Sequence, residues 1–141
     1  EELEYQRSDL GLVDSVTFLD KVSYATVLQL MQESHIVLLP SVEEGIANVV
    51  LEAMMLEKLV LTTNCGGMEE IVQDVTNGFV MPIRNSQVMS EKIIAIGKLN
   101  ESEVRTITAN ARNTIATLNS EAKMVAGMEA LYAFVLKDKK S

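Results

Sequence analysis

Residues 40–54, PSVEEGIANVVLEAM, constrain this chain more than any other stretch. They follow an apolar, β-rich run, Ile36–Leu39, and pass through a Glu44-Gly45 turn into a segment of helical character. A strand feeding a helix through a loop is the repeating unit of a parallel sheet with crossover helices. Ligands of such sheets bind beyond the carboxyl ends of the strands. Glu44 falls in that zone, five residues past the strand.

A second carboxylate, Glu52, stands eight positions after Glu44. At the helical rise of about 1.5 Å per residue, that eight-residue spacing would separate the two acids by on the order of 12 Å along the axis. Between them lie the first N–H groups of the helix, which have no intrahelical partner and attract anions. The order is therefore carboxylate, anion site, carboxylate. A nucleotide-sugar presents the matching order of sugar hydroxyls, diphosphate and ribose. Glu44 on its own also reads as a solvated loop acid beside Glu43, and Glu52 as a helix-surface residue. The apolar neighbours of Glu52 argue for burial, and a buried carboxylate needs partners such as hydroxyl donors.

The same strand-to-helix logic recurs along the chain. β-rich runs stand at 16–19, Ile36–Leu39, Leu59–Thr63 and 78–81, nearly continuous in apolar character, as when both sheet faces are covered. Between them come a helix capped by Ser23 with Val27, Leu28 and Met31 on one face, the 46–56 helix, and a short one over 68–73. The chain opens on a charged segment, EELEYQRSDLGL, that also reads as helix. From Ser86 onward the pattern predicts helix only. One carries Met89, Ile93 and Ile96. A second opens on an Asn100/Glu103 capping box and carries Val104, Ile107, Ala111, Ile115 and Leu118. A third, capped by Ser120, carries Met124, Met128, Leu131 and Val135. The expected fold class is α/β: a Rossmann-like parallel sheet of about four strands, flanked by helices, with an all-helical C-terminal segment. Residues 1–141 read as one partial domain.

Asn64-Cys65-Gly66-Gly67 follows the run Leu59–Thr63, which makes Gly66 and Gly67 a second lip of the same cleft or a plain turn. Asp20-Lys21 follows the first β-rich run and forms a further loop at the carboxyl ends. His35, the single histidine, reads as a packing or surface residue with no catalytic role, and the eight methionines as core filler. The lone cysteine excludes an internal disulfide and, without a Cys/His cluster, argues against zinc. A net charge of −8 argues against a broad nucleic-acid surface. A reduced cytoplasmic location is the expectation. No apolar run reaches the roughly 18 residues of a bilayer span.

Together, DSVTFLDKV, HIVLLPSVEEGIANVVLEAM, LVLTTNCGGMEEIV and NGFVMP closely resemble the C-terminal domain of retaining GT-B glycosyltransferases of the group-1 type. The resemblance spans about residues 10 to 100, with several motifs in register, and half of a GT-B fold is what it implies. The family's E-x7-E signature falls on Glu44 and Glu52. By this resemblance Glu44 holds donor-sugar hydroxyls and is the catalytic candidate. The backbone of Gly45, Ile46 and Ala47 lines the sugar, with Ser41, Gly66 and Gly67 around it. Asn48 and Val49 offer N–H groups to the diphosphate, Glu52 binds ribose, and Asp20, Lys21 and Val22 meet the base. Ala47 replaces a usual Gly or Pro, Asp20 a usual Gly, and Ser34-His35 a usual Ala-Asp. No cofactor and no metal is expected. The implied partners are a nucleotide-sugar donor and an acceptor glycan, lipid or small molecule held by an N-terminal domain, with peripheral membrane association open to the full-length enzyme. An initial strand, an Arg/Lys diphosphate clamp and that acceptor domain do not appear in this sequence, so this piece alone is not expected to turn over. Two other readings compete: a glycosidase using the two glutamates across one bond at roughly 5–9.5 Å, and a non-catalytic nucleotide-sugar-binding or scaffold domain.

Overall fold

The computed structural model describes residues 2–118, together with Val125 and Met128. Two compact units divide the chain, 1–30 and 31–141. The first holds α1 (Glu2–Asp9) and the start of α2 (Tyr24–Glu33). The second holds β1 (Ile36–Leu39), α3 (Asn48–Met55), β2 (Leu59–Thr63), α4 (Met68–Ile71), β3 (Phe79–Met81), α5 (Ser86–Ile96) and α6 (Glu101–Leu118).

The architecture is the expected α/β arrangement, a parallel sheet in the order β1-β2-β3 flanked by helices. Among the described residues it has three strands rather than four. Residues 16–19 form no strand, and Phe18 and Leu19 are exposed. A β-rich run becomes a strand only when its backbone groups find a ladder, and this unit contains no other strand among the described residues. The run is held by a side chain instead. Arg7 Nη1 donates to the Val16 carbonyl at 3.1 Å, and the guanidinium lies 5.3 Å from the Phe18 ring centroid.

β2 is the central strand, and all five of its residues are buried. Its side chains alternate between two cores. Val60 packs with Val50, Ala53 and Met54 of α3, Met68 and Ile71 of α4, and Ala111 and Ile115 of α6. Leu59 and Leu61 pack with Phe79 and Met81 of β3, Ile96 of α5 and Ile107 of α6. Covering both faces explains the near-continuous apolar run read in the sequence. Burying a side chain such as Met54 or Leu61 contributes about 1.5–3 kcal/mol.

Helix boundaries shift for local reasons. α4 stops at Ile71 instead of 73, because buried Asn77 takes over the next turn. Its Oδ1 accepts from the Gln73 N–H at 2.7 Å, and its Nδ2 donates to the Ile71 carbonyl and to Thr114 Oγ1, both at 3.0 Å. The capping box of α6 forms as read: the Glu103 N–H donates to Asn100 Oδ1 at 3.0 Å, and Glu103 Oε2 accepts from the Asn100 N–H at 2.8 Å. Of the helix expected from Ser120, only Val125 and Met128 lie within the described residues; both are helical. No described helix is long and apolar enough to cross a membrane.

Candidate functional site

The site grows from the loop 40–47 between β1 and α3. α3 begins at Asn48, not Ile46, with Ala47 as its N-cap (φ −76°, ψ 126°). Only four of the eight steps from Glu44 to Glu52 are therefore helical, a rise of about 6 Å. The first four steps are loop, so the axial separation reasoned from a longer helix does not apply.

Alanine has no side-chain oxygen, and no side chain caps this end. The Val50 and Leu51 N–H groups both donate to the Ala47 carbonyl, at 3.0 and 3.4 Å. The N–H groups of Asn48 and Val49 have no hydrogen-bond acceptor among the described residues. Leaving an N-cap without Ser, Thr, Asp or Asn costs about 0.5–2 kcal/mol. In exchange the first turn keeps donors free at the positive end of the helix dipole. That is the local chemistry of an anion site.

The two carboxylates differ in environment. Glu44 is exposed, as is Glu43 beside it. Glu52 is half-buried, with Val50, Ala53 and Met54 on the buried face of the same helix, and it has a partner within the protein. Gly45 faces open space, with no atom within 4 Å of where a Cβ would stand.

The glycine pair after β2, read as a second lip, lies against the loop after β1. Gly66 is left-handed, φ +53°, and a Cβ there would lie 1.6 Å from the Glu44 carbonyl oxygen. A Cβ at Gly67 would lie 2.9 Å from Ile46 Cγ1. The loop carrying Glu44 therefore rests directly on the backbone of Gly66 and Gly67, and no side chain fits between them. A second tie lies one residue deeper. Thr63 Oγ1, fully buried at the end of β2, donates to the Ser41 carbonyl at 2.5 Å and stands 3.3 Å from Cys65 Sγ. Asn64 then fastens the second lip to β3: its N–H donates to the Met81 carbonyl at 2.9 Å, and its Oδ1 accepts from the Ile83 N–H at 3.2 Å.

Thus Ser41, Glu44, Gly45, Ile46, Ala47, Asn48, Val49, Glu52, Gly66 and Gly67 belong to two touching loops and the helix that follows one of them. Asp20, Lys21 and Val22 lie in the other unit, exposed, in the segment leading to α2. His35 is exposed, just before β1 at the opposite end of the strand. Among the described residues no three His, Cys, Asp or Glu side chains group together as a metal site.

One part of this region escaped the sequence. A cavity of about 270 Å³ opens at the carboxyl ends of all three strands, with Val42, Thr63, Met81 and Arg84 in its lining. Arg84 belongs to none of the sequence motifs. Its place beside Val42 depends on the parallel pairing of β1, β2 and β3.

Fold and site now meet the comparisons with known proteins. Residues 1–114 match the family of glycosyl transferases group 1. The chain belongs to that family, and a glycosidase reading has nothing left to carry it. Among relatives, it is 29% identical over 133 residues to N-acetyl-alpha-D-glucosaminyl L-malate synthase of Bacillus anthracis, covering 94% of this chain and 34% of that one. The solved glycosyltransferase of Rickettsia africae superposes with a TM-score of 0.86 at 24% identity, over 96% of this chain and 36% of that one. Anabaena HepE, solved in complex with UDP-glucose, superposes with a TM-score of 0.74 at 27% identity, over 89% and 36%. The chain spans about a third of the length of the curated relatives it matches.

Proposed function

We propose that this chain supplies the donor-binding half of a retaining glycosyltransferase, which moves a sugar from a nucleotide diphosphate sugar to an acceptor glycan, lipid or small molecule. The observation that carries the reading is the free first turn of α3. Two N–H donors without acceptors among the described residues, at Asn48 and Val49, stand between an exposed carboxylate and a half-buried one. A diphosphate laid on those donors would run its sugar toward Glu44 and its ribose toward Glu52. The open space at Gly45 admits a ring, and the Ile46 and Ala47 backbone lines it. Gly66 and Gly67 hold the Glu44 loop at its height. Asp20, Lys21 and Val22 are assigned the base, on the strength of the family motif alone.

In this reading Glu44 orients the sugar and stabilises positive charge on its ring as the leaving bond breaks. Glu52 accepts hydrogen bonds from ribose and sets donor affinity. The backbone N–H groups do the work that a divalent cation does in metal-dependent enzymes, so turnover should survive chelation by EDTA. The enzyme works in the cytoplasm, with peripheral membrane association where its acceptor is a lipid.

The test is a thermal-shift and calorimetric screen of UDP, GDP and ADP and their sugars against the full-length protein. One of them should bind and raise the melting temperature, and NMR of the transferred product should show retained anomeric configuration. Failure of every nucleotide to bind would remove the donor reading. Binding without transfer to any acceptor would leave a nucleotide-sugar-binding scaffold. An inverted product would remove retention.

A further inference from the structure

The cavity at the carboxyl ends of β1, β2 and β3 has no role in the donor reading. Its lining joins apolar side chains, among them Val42, Met81 and Met89, to the polar Arg84, Asn85 and Ser86. Among the described residues no acidic side chain lines it. Every other arginine of the chain is engaged: Arg7 with the Val16 carbonyl and Phe18, Arg105 with Glu101 at 2.6 Å, and Arg112 with Glu57 at 2.6 Å. Arg84 has neither an ion pair nor a hydrogen bond among the described residues. The chain holds 20 acidic side chains against 12 basic ones, so partners abound. An arginine without a partner among the described residues, beside a cavity that none of their carboxylates lines, is placed for an anion from outside. Asn85 adds to it. Its Oδ1 accepts from the Val88 N–H at 3.0 Å, which leaves its amide N–H groups as donors without an acceptor among the described residues.

From this lining we infer that the cavity binds an anionic group carried on hydrocarbon, an alkyl phosphate being the simplest case. Arginine matches phosphate oxygens in a two-pronged geometry. The apolar walls take the carbons beside the phosphate, and about 270 Å³ holds the anion and a short alkyl stretch. The second half of the inference rests on the donor reading. There the donor's own diphosphate lies on α3, while Val42 stands two residues before Glu44 on the same loop. A second anion there is assigned to the acceptor, which this cavity would contact alongside the N-terminal domain that the family resemblance implies.

Calorimetry on the full-length protein tests this with three probes: hexyl phosphate, inorganic phosphate and hexanol. Hexyl phosphate should bind saturably, at least about tenfold more tightly than inorganic phosphate, since each buried methylene is worth about 0.8 kcal/mol. Hexanol should show no saturable binding. Arg84→Gln should weaken hexyl phosphate by about ten- to a hundredfold, the worth of a charged hydrogen bond, and Arg84→Lys should recover part of the loss. Arg84 is exposed, so both variants should melt with the parent. Saturating UDP should leave the affinity for hexyl phosphate unchanged. Equal binding of hexanol, equal binding of inorganic phosphate, indifference to Arg84→Gln, or displacement by UDP would each overturn the inference. UDP-glucose binding, measured separately, keeps the two readings apart. If UDP-glucose binds and hexyl phosphate does not, only the cavity inference falls. If hexyl phosphate binds and no nucleotide-sugar does, the assignment to an acceptor falls with the donor reading.

Discussion

Two loops leave adjacent strands at the same end of the sheet, and they are built differently. The loop 40–47 after β1 is long, exposed at Glu43, Glu44 and Gly45, and ends on a helix whose N-cap has no capping side chain. The loop 64–67 after β2 is short and fastened, by Asn64 to β3 and by the turn at Gly66. The first presents functional groups; the second carries it. A rigid support placed against an open loop lets that loop hold a carboxylate in water without secondary structure of its own. Positioning of this kind matters most where a ligand must meet several groups at once.

The largest effect should come from a side chain placed into the contact between the two loops. Gly66→Ala places a Cβ 1.6 Å from the Glu44 carbonyl oxygen in a left-handed backbone. Strain and displaced backbone together should cost about 2–5 kcal/mol of stability. Urea unfolding should show that loss, and UDP-sugar titration should show donor affinity falling with it. A variant with unchanged stability and affinity would mean that the loops do not support one another.

The two carboxylates of the open loop and its helix should fail differently. In the full-length enzyme Glu44→Gln should lower kcat by about a hundredfold, because the proposed function puts its charge where the bond breaks. Glu52→Gln should raise the donor KM by roughly ten- to a hundredfold, the worth of a charged hydrogen bond remote from the reaction. Remote binding energy also reaches kcat, so the contrast between the two variants is the measurement that counts. Steady-state kinetics at saturating acceptor decide it. The reverse pattern, with kcat intact in Glu44→Gln and abolished in Glu52→Gln, would exchange the two roles.

Thr63→Val tests the buried tie. It removes the hydroxyl that donates to the Ser41 carbonyl and leaves that acceptor unpaired. A loss of about 1–3 kcal/mol in urea unfolding is expected. A loss near zero would show that the Gly66 contact alone holds the loop.

Gly45→Ala should have the smallest structural effect and so the clearest functional one. Nothing lies within 4 Å of the added Cβ, and Gly45 has no left-handed φ. Its melting temperature should stay close to that of the parent, within about 0.5 kcal/mol in stability. Donor affinity should nevertheless drop, because the methyl group enters the space assigned to the sugar. Unchanged donor affinity would move the sugar elsewhere.

Much of this site was legible in one dimension. The strand Ile36–Leu39, the turn at Glu44-Gly45 and the following helix are local patterns, set by hydrophobic period and turn residues. The α6 capping box was legible for the same reason, since both partners lie three residues apart. Local pattern failed where a partner had to be supplied from a distance. Residues 16–19 have strand composition, yet their Val16 carbonyl goes to Arg7 and no ladder forms. Periodicity alone also misplaced the start of α3, because it cannot tell the last loop residue from the first helical one when Ala47 carries no capping oxygen.

The chain order of strand, loop and helix, and the chemical identity of the two glutamates, follow from the sequence because they depend on neighbours along the backbone. The contact of Gly66 with Glu44, the hydroxyl of Thr63 under Ser41, and the cavity that joins Val42 to Arg84 follow from parallel pairing across the sheet. Pairing brings together residues 18 to 23 positions apart, and no spacing rule in the sequence records which of them will touch.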